Sequence, residues 1–216
     1  MSANKLIGLY GGAFDPVHNA HIEIAKHCIN EVGLNKLILI PTGKSAFKKP
    51  LTFAKHRVAM LEIAFKYSNY EVSEIEVENS KNSENPSYSF DTLKYFFNRD
   101  ENSYFMIIGT DAFKNFHLWY KWKEILNFCH ILLINRSDSD IFSQRWHPTT
   151  KKIIDIHWTD QINNLKHNRT GFIYSIPMKK IDVASHVVKD YIRRKKTLGS
   201  MIPSEIENYI NKNSLY

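Results

Sequence analysis

Cysteine is scarce in this chain, with two residues among 216. Cys28 falls within an amphipathic helical pattern, and Cys129 lies just before a strand-like run. Two cysteines placed in this way form neither a disulfide framework nor the C-x-x-C pair of a metal or redox site. We therefore predict that both are reduced residues that pack in the interior.

Long apolar runs are also missing from the sequence. A membrane-spanning helix needs roughly 18 consecutive apolar residues, and no stretch approaches that length. The first residues, Met-Ser-Ala-Asn-Lys, lead into a short strand-like run rather than into the apolar region of a signal peptide. These features predict a cytoplasmic protein with no membrane partner.

The composition is that of an ordinary globular protein, with 43% hydrophobic and 24% charged residues. The formal charge of +7 favours a polyanionic partner, because Lys and Arg attract phosphate. Charge alone does not separate a nucleic acid from a small nucleotide. The basic residues are spread along the chain, which is also typical of a solvated surface.

Apolar and helical patterns alternate along the chain. Residues 5–10 and 36–40 are short apolar runs, and the helical pattern between them stops at Gly33. This is a β-α-β unit, whose crossover is right-handed in almost all proteins. Because the strands are apolar on both sides of the pleat, we predict an α/β fold with a Rossmann-like, doubly wound parallel sheet and helices on both faces.

The alternation continues through the rest of the chain, and we predict one domain over 1–216. Residues 137–169 are polar and irregular and resemble an insertion or long excursion. A small C-terminal helical part is predicted at about 183–216, with helices at about 185–196 and 203–212; Gly199 is suited to a stop after the first, and Pro203 to the first turn of the second. The remaining predicted helices are 53–67, 89–98 and 121–128, and the remaining predicted strands are 70–77, 103–108, 131–135 and 172–176.

Residues 11–21, Gly-Gly-Ala-Phe-Asp-Pro-Val-His-Asn-Ala-His, follow the first predicted strand. Glycine tolerates positive φ and has no side chain, so Gly11 and Gly12 predict a sharp turn that presents backbone N–H groups to an anion. His18 and His21 are three residues apart and would share one face of the first helical turn, beside the positive end of the helix dipole. Ligands of open α/β sheets bind at the carboxyl ends of strands, so we predict a phosphate site here.

Other interpretations of this segment remain open. The glycines could form only a tight turn, with His18 as a helix cap and His21 packed in the interior. A metal-binding pair is a third interpretation, although two histidines without a nearby third ligand are a weak metal signal. The segment matches neither G-x-x-x-x-G-K-[ST] nor G-x-G-x-x-G, which argues against kinase-like and dinucleotide-dehydrogenase functions.

The same segment closely resembles the G-G-x-F-x-P-x-H-x-G-H signature of the H-x-G-H nucleotidyltransferase superfamily, and specifically of the bacterial nicotinate-nucleotide adenylyltransferases. Ala20 replaces the last glycine of that signature, but both histidines are kept. Residues 86–93 resemble the family's P-S-Y-T-x-D-T-L, and 108–111 resemble its I-G-x-D. Residues 116–122 resemble its F-x-x-W-x-x-W, and 202–210 its L-V-P-x-x-V-x-x-Y-I ending, so the resemblance covers nearly the whole chain and implies a single nucleotidyltransferase domain.

The resemblance implies transfer of the adenylyl group of ATP to nicotinate mononucleotide, which gives nicotinate adenine dinucleotide and pyrophosphate, with Mg²⁺ carried on the ATP phosphates. An in-line attack at phosphorus needs no protein nucleophile, so alignment of the reactants and fixed donors would supply most of the acceleration. The catalytic residues that the resemblance implies are His18 and His21. The ATP-binding residues that it implies are Gly11, Gly12, Ala13, Phe14, Ser185, His186 and Lys189.

Residues 183–189 are the weakest match, to the family's I-S-S-T-x-I-R. His186 stands in place of a threonine and Lys189 in place of an arginine. Bidentate phosphate binding is therefore lost, and Lys189 would bind as a point charge. The alternative is that Ser185 only caps a helix and Lys189 is solvated.

For nicotinate mononucleotide, the resemblance implies a pyridine and ribose subsite and a phosphate loop at 41–48. Phe47 stands where the loop of the family has histidine, and Arg57 is predicted to tie this loop to the next helix. Trp119 would stack on the pyridine ring, although without the family it would be assigned to the core. The implied residues are Thr42, Lys44, Lys48, Tyr88, Ser89, Asp111 and Trp119.

Two further functions remain as alternatives. A related adenylyltransferase would use nicotinamide mononucleotide or phosphopantetheine, which 86–93 and 116–122 argue against. A catalytically inactive basic protein would bind a nucleotide or RNA, which the charge and the departures from the family signatures suggest, but the two retained histidines favour the enzyme. We expect ATP and nicotinate mononucleotide as partners, no nucleic acid and no protein-bound metal, and a homo-oligomer is left open.

Overall fold

The structure, a computed structural model, describes residues 4–44, 51–81, 85–135, 141–179 and 181–216. Six strands from these ranges form one sheet, and every neighbouring pair is parallel. The strands are β1 (Leu6–Gly12), β2 (Lys36–Pro41), β3 (Tyr70–Val72), β4 (Ser103–Gly109), β5 (His130–Asn135) and β6 (Ile173–Pro177). Their order across the sheet is β3-β2-β1-β4-β5-β6.

The order of the strands reverses at the centre of the sheet. The chain runs outward from β1 to β2 and β3, returns to the other side of β1 with β4, and continues outward through β5 and β6. The carboxyl ends of β1 and β4 therefore open into the crevice where sheets of this kind bind ligands. The Rossmann-like, doubly wound parallel sheet that the sequence predicts is confirmed.

Helices cover both faces of the sheet, and none of those in the described ranges is long and apolar enough to cross a bilayer. They are α1 (Asn19–Val32), α2 (Ala54–Ala64), α3 (Ile75–Lys81), α4 (Ser89–Arg99), α5 (Thr110–Phe113), α6 (Trp122–Ile125), α7 (Pro148–His157), α8 (Ile162–His167), α9 (Ser185–Arg193) and α10 (Ser204–Lys212). Short 3-10 turns lie at Phe116–Leu118, Ile141–Ser143 and Gly199–Met201. Successive strand residues point to opposite faces, so in β1 Tyr10 joins a core with α1, α2, α9 and α10, and Leu9 joins a second core with α4 to α7.

The first crossover forms as the sequence predicts. Helix α1 buries a stripe that includes Ile24, Cys28 and Val32, and it ends at Gly33, whose φ of 74° is left-handed. Cys28 and Cys129 are both buried and free, which confirms them as packing residues. Burial raises the pKa of each thiol to about 12, so both remain protonated at neutral pH.

The predicted strand at 70–77 is wrong in its second half. Strand β3 ends at Val72, and α3 begins at Ile75. Val77 is buried as part of a helix rather than of a strand. A short apolar run is compatible with either structure, and which one forms depends on the segments it packs against. Glu76 consequently lies on a helix.

The irregular excursion predicted at 137–169 contains two helices among its described residues. Pro148 occupies the first turn of α7, where its missing N–H costs nothing, and Ile153 and Ile154 pack against the second core. In the C-terminal part, α9 ends at Arg193 rather than at Gly199, which opens a 3-10 turn instead. The helix predicted at about 185–196 thus forms, but it is three residues shorter at its C-terminal end.

Candidate active site

The candidate site lies at the carboxyl ends of β1, β2 and β4. We call residues 13–18 the β1 loop and residues 42–44 the β2 loop. The Ser185 hydroxyl, in the first turn of α9, donates to a carbonyl of the β1 loop over 3.0 Å. Ser87, just before α4, exchanges hydrogen bonds with the backbone of Lys44 in the β2 loop. Segments far apart in the sequence thus meet at one edge of the sheet.

Gly11 and Gly12 do not form the turn that the sequence predicts. They are the last residues of β1, and neither has a positive φ. The left-handed residue is Phe14, with a φ of 47°. A Cβ on Gly12 would lie 3.2 Å from the Phe14 ring, whereas a Cβ on Gly11 would meet nothing within 4 Å. Glycine at 12 therefore makes room for a buried ring, and Gly11 leaves open space at the end of the strand.

The two histidines of the segment lie together at the start of α1. His18 is the N-cap residue and His21 the third residue of the helix, and their rings stack with centroids 3.7 Å apart. The backbone N–H of His18 donates to Nδ1 of His21 over 3.3 Å. A ring nitrogen that accepts a hydrogen bond carries no proton, so the neutral His21 ring carries its proton on Nε2. The arrangement provides an N–H donor at the helix start.

Helix polarity favours an anion at the same position. The N-terminus of α1 carries partial positive charge, and none of the residues in its first turn, all of which the structure describes, is acidic. Ala20, where the family has glycine, is only 2% exposed. Its methyl group therefore lies inside the protein rather than in open space at the helix start.

Lys189 does not point freely into solvent. Its Nζ lies 2.5 Å from Oδ2 of Asp15 in the β1 loop, and it also lies 4.8 Å from the centre of the Tyr216 ring. The Tyr216 hydroxyl donates to the other carboxylate oxygen of Asp15 over 2.6 Å. Lys189, Tyr216 and Asp15 thus form one polar cluster beside the helix start. His186, by contrast, is exposed.

Sequence reasoning missed Asp15, which is only 3% exposed. Burial by itself would raise the pKa of this carboxyl, but hydrogen bonds from Lys189, Tyr216 and Thr52 outweigh that effect and hold the pKa below its usual value. A signal was available in the sequence, because an acidic residue inside a phosphate-binding segment needs a cation to stabilise it.

Arg57, in α2, binds the β2 loop, as the sequence predicts, and it also binds the β1 loop, which the sequence did not predict. The side chain is 1% exposed. Its Nη1 donates to the Ala13 carbonyl over 2.9 Å, its Nη2 to the Thr42 carbonyl over 2.7 Å, and its Nε to the Thr52 carbonyl over 2.9 Å. One guanidinium therefore fixes the β1 loop relative to the β2 loop.

A cavity of about 410 Å³ opens beside the β2 loop. Tyr88 and Tyr120 form part of its wall, with ring centroids 4.6 Å apart. Asp91 and Glu76 add carboxyl groups. The described residues that line it are Glu76, Asn79, Ser80, Asn85, Pro86, Ser87, Tyr88, Asp91, Thr92 and Tyr120. Such a cavity, with two aromatic rings and several polar groups, is suited to a flat polar ring.

The structure brings only some of the implied acceptor residues to this cavity. Tyr88 lines it, but Ser89, Asp111 and Trp119 are not among the described lining residues. Asp111 is exposed and lies 3.6 Å from Lys114, and Trp119 packs on Phe116. Lys44 lies next to the cavity through its hydrogen bonds with Ser87, whereas Thr42 is bound by Arg57, which is not among the described lining residues. Lys48 and Phe47 lie outside the described residues.

Of the described residues that line the cavity, only Tyr88 is among the predicted site residues, and those not predicted include Tyr120 and Glu76. Tyr120 lies between two tryptophans in the segment that the resemblance singled out, and that position was the available signal. Glu76 lay in a predicted strand, so the sequence did not identify it as a residue of the site. Burial raises the pKa of Glu76, while hydrogen bonds from Thr92 and from the backbone of Gly43 oppose that shift.

Comparisons with known proteins agree with this geometry. The family model described as cytidylyltransferase-like matches residues 9–191. A protein of Vesicomyosocius okutanii subsp. Calyptogena okutanii, named "Probable nicotinate-nucleotide adenylyltransferase", is 30% identical over 210 residues, which are 96% of this chain and 94% of that protein. A protein of Carboxydothermus hydrogenoformans with the same name is 31% identical over 219 residues, with 99% of both chains covered.

A solved structure shares the fold. The Plasmodium falciparum nicotinic acid mononucleotide adenylyltransferase complexed with NaAD superposes with a TM-score of 0.74 at 18% identity, over 99% of this chain and 98% of that one. At that identity the likeness supports the fold, whereas the family model and the two sequence relatives identify the family. The chain belongs to the cytidylyltransferase-like family and, within it, to the nicotinate-nucleotide adenylyltransferases.

Proposed function

We propose that this protein transfers the adenylyl group of ATP to nicotinate mononucleotide, which gives nicotinate adenine dinucleotide and pyrophosphate. The observation that carries the proposal is the adjacency of two subsites at the crevice. A helix start with two histidines lies at the end of β1, and a cavity with two tyrosines lies beside the end of β2, the next strand. Arg57 joins the two loops that separate them.

The ATP phosphates are assigned to the start of α1. His18 and His21 provide ring N–H donors there, and the end of β1 at Gly11 has no side chain to keep a phosphate away. Backbone groups of Gly12, Ala13 and Phe14 complete this subsite. ATP enters with Mg²⁺ on its phosphates, which neutralises part of their charge.

Helix α9 contributes from the other side of the β1 loop. Lys189 has three N–H donors, of which Asp15 accepts one, so the ammonium keeps donors for a phosphate. Asp15 thereby positions the lysine that stands where the family has arginine. Ser185 holds the start of α9 on the β1 loop, and the exposed ring of His186 is assigned to the same ATP site.

Nicotinate mononucleotide is assigned to the cavity and the adjoining β2 loop. Its pyridine ring is assigned to Tyr88 and Tyr120, and its phosphate to Thr42 and Lys44. Lys48, which follows in the sequence and lies outside the described residues, is assigned to the same phosphate. Ser89, Asp111 and Trp119 are assigned to the rim of this subsite. We also assign 1–216 to a single nucleotidyltransferase domain, because Tyr216 and α9 contact the β1 loop.

The chemistry is an attack of the acceptor phosphate oxygen on the α-phosphorus of ATP, with pyrophosphate as the leaving group. The protein supplies alignment of the two phosphates and donors that stabilise the negative charge of the transition state. His18 and His21 carry that second role, because their stacked rings already lie together at the start of α1 before the substrate arrives.

Release of pyrophosphate tests the proposal. Purified protein is mixed with MgATP alone, with nicotinate mononucleotide, or with nicotinamide mononucleotide. We expect release with nicotinate mononucleotide, much less with the amide, and none without an acceptor. Equal use of the two acceptors would remove the stated specificity, and no release with either would favour a nucleotide-binding protein without turnover.

A further inference from the structure

The peptide unit between Thr42 and Gly43 lies between two charged side chains, the buried Arg57 and the partly buried Glu76. Its carbonyl oxygen, on Thr42, accepts a hydrogen bond from Nη2 of Arg57 over 2.7 Å. Its N–H, on Gly43, donates to the carboxylate of Glu76. A cation at the carbonyl and a carboxylate at the N–H match the peptide dipole at each end, so the orientation of this peptide is fixed.

Glu76 reaches a second segment with the same carboxyl group. The hydroxyl of Thr92, in the first turn of α4, donates to Oε1 of Glu76 over 2.9 Å. Helix α4 begins directly after Tyr88, which lines the cavity. One carboxylate thus connects the β2 loop, which we assign to the acceptor phosphate, with the segment that we assign to the pyridine ring.

Close packing supports the same connection. A Cβ on Gly43 would lie 1.9 Å from the carbonyl oxygen of Glu76 and 2.9 Å from Cβ of Ser80. Glycine at this position is therefore required by the approach of the β2 loop to α3. The next residue of the β2 loop, Lys44, contacts the segment before α4: its carbonyl accepts from the Ser87 N–H over 3.1 Å, and its N–H donates to the Ser87 hydroxyl over 3.3 Å.

We propose that Glu76 is a positioning residue for the acceptor mononucleotide, which sets the β2 loop at a fixed distance from the Tyr88 segment. This inference rests on the proposed function. Glu76 acts through Gly43 and Thr92, so its loss displaces the two halves of the acceptor subsite relative to each other. The ATP subsite at the start of α1 is held by other contacts and keeps its geometry.

The test compares steady-state kinetics of four single variants. Glu76→Ala is expected to raise KM for nicotinate mononucleotide about tenfold, the equivalent of about 1.4 kcal/mol, while KM for ATP changes less than about twofold. Thr92→Val keeps the shape of the side chain but removes the hydroxyl, and is expected to raise the same KM about threefold. Glu76→Gln is expected to restore binding, because its amide oxygen accepts from Gly43 and its NH₂ group donates to the Thr92 hydroxyl.

The matched control is Glu78→Ala, which removes an exposed carboxylate from the same helix and should leave all constants unchanged. The double variant Glu76→Ala/Thr92→Val should raise KM for nicotinate mononucleotide no further than Glu76→Ala does, because the two substitutions remove the same connection. An equal rise in both KM values, or unchanged KM for the acceptor in Glu76→Ala and Thr92→Val, would overturn the inference while leaving the proposed function intact. Wild-type protein that releases no pyrophosphate with nicotinate mononucleotide would instead overturn the proposed function.

Discussion

Lys189 binds Asp15 across 174 residues of sequence, with Nζ 2.5 Å from Oδ2. The side chain of the lysine is 21% exposed and that of the aspartate 3% exposed, so the pair lies at the boundary between the core and the crevice. Thr52 and Tyr216 donate to the same carboxylate. The pair therefore fixes α9 against the β1 loop and at the same time places a cation at the proposed ATP site.

The first prediction concerns the stability that this pair provides. Lys189→Met leaves the Asp15 carboxylate buried without its cation, and we expect a loss of about 3 kcal/mol in the free energy of unfolding, measured by urea denaturation. Lys151→Met is the matched control, because Lys151 pairs with Asp155 on the exposed surface of α7 and should cost less than about 1 kcal/mol. Equal losses in the two variants would contradict the burial argument.

The second prediction concerns pH. Although burial opposes it, hydrogen bonds from Lys189, Tyr216 and Thr52 hold the folded-state pKa of Asp15 below its usual value of 3.8. Its contribution to stability is therefore present above that pH and is lost as pH falls through the lower, folded pKa. The difference in unfolding free energy between wild type and Asp15→Asn should therefore shrink as pH falls from about 5 to about 2. Denaturation at several pH values measures this difference, and Asp160→Asn, at an exposed position, serves as the control. A difference that grows towards acid pH would contradict the lowered folded-state pKa of Asp15.

The third prediction concerns catalysis. His21→Ala removes a fixed N–H donor from the start of α1, and we expect kcat for pyrophosphate release to fall about 100- to 1000-fold, as for other preorganised donors. The variant should still unfold cooperatively when its circular dichroism is followed on heating. His167→Ala removes an exposed imidazole from the last turn of α8 and should keep the wild-type rate. Near-normal turnover of His21→Ala would place the chemistry elsewhere.

The fourth prediction concerns the β2 loop. Gly43→Ala forces a methyl group against the Glu76 carbonyl oxygen, and we expect a loss of about 1 to 3 kcal/mol in stability together with weaker binding of the acceptor. Gly109→Ala is the control for stability, because a Cβ there meets nothing within 4 Å and the residue has no positive φ. Thermal unfolding and isothermal titration with nicotinate mononucleotide measure the two effects. A Gly43→Ala protein as stable as Gly109→Ala would contradict the close approach.

Local sequence patterns predicted the structure correctly where the apolar residues of one helix or strand are enough to identify it. The apolar stripe on α1 and the strands that are apolar on both sides identified the parallel sheet. These patterns can be recognised from the sequence without knowing which segments pack against them. The same reasoning failed at Ile75 and Val77, where a short apolar run suits a strand or a helix equally well. It also failed at Gly11 and Gly12, whose role is to leave space rather than to adopt a positive φ.

The sequence by itself determined the α/β class, the parallel sheet with its first β-α-β unit, and the segment at 11–21 that carries the two histidines, since each of these depends on residues close together in the chain. Only the tertiary structure decided that Lys189 rests on Asp15, and that Arg57 and Glu76 hold one peptide of the β2 loop between them. Those contacts join segments that meet only after the strands have taken their places in the sheet. No local periodicity records them, because the energy of a buried charge depends on which partner reaches it in space.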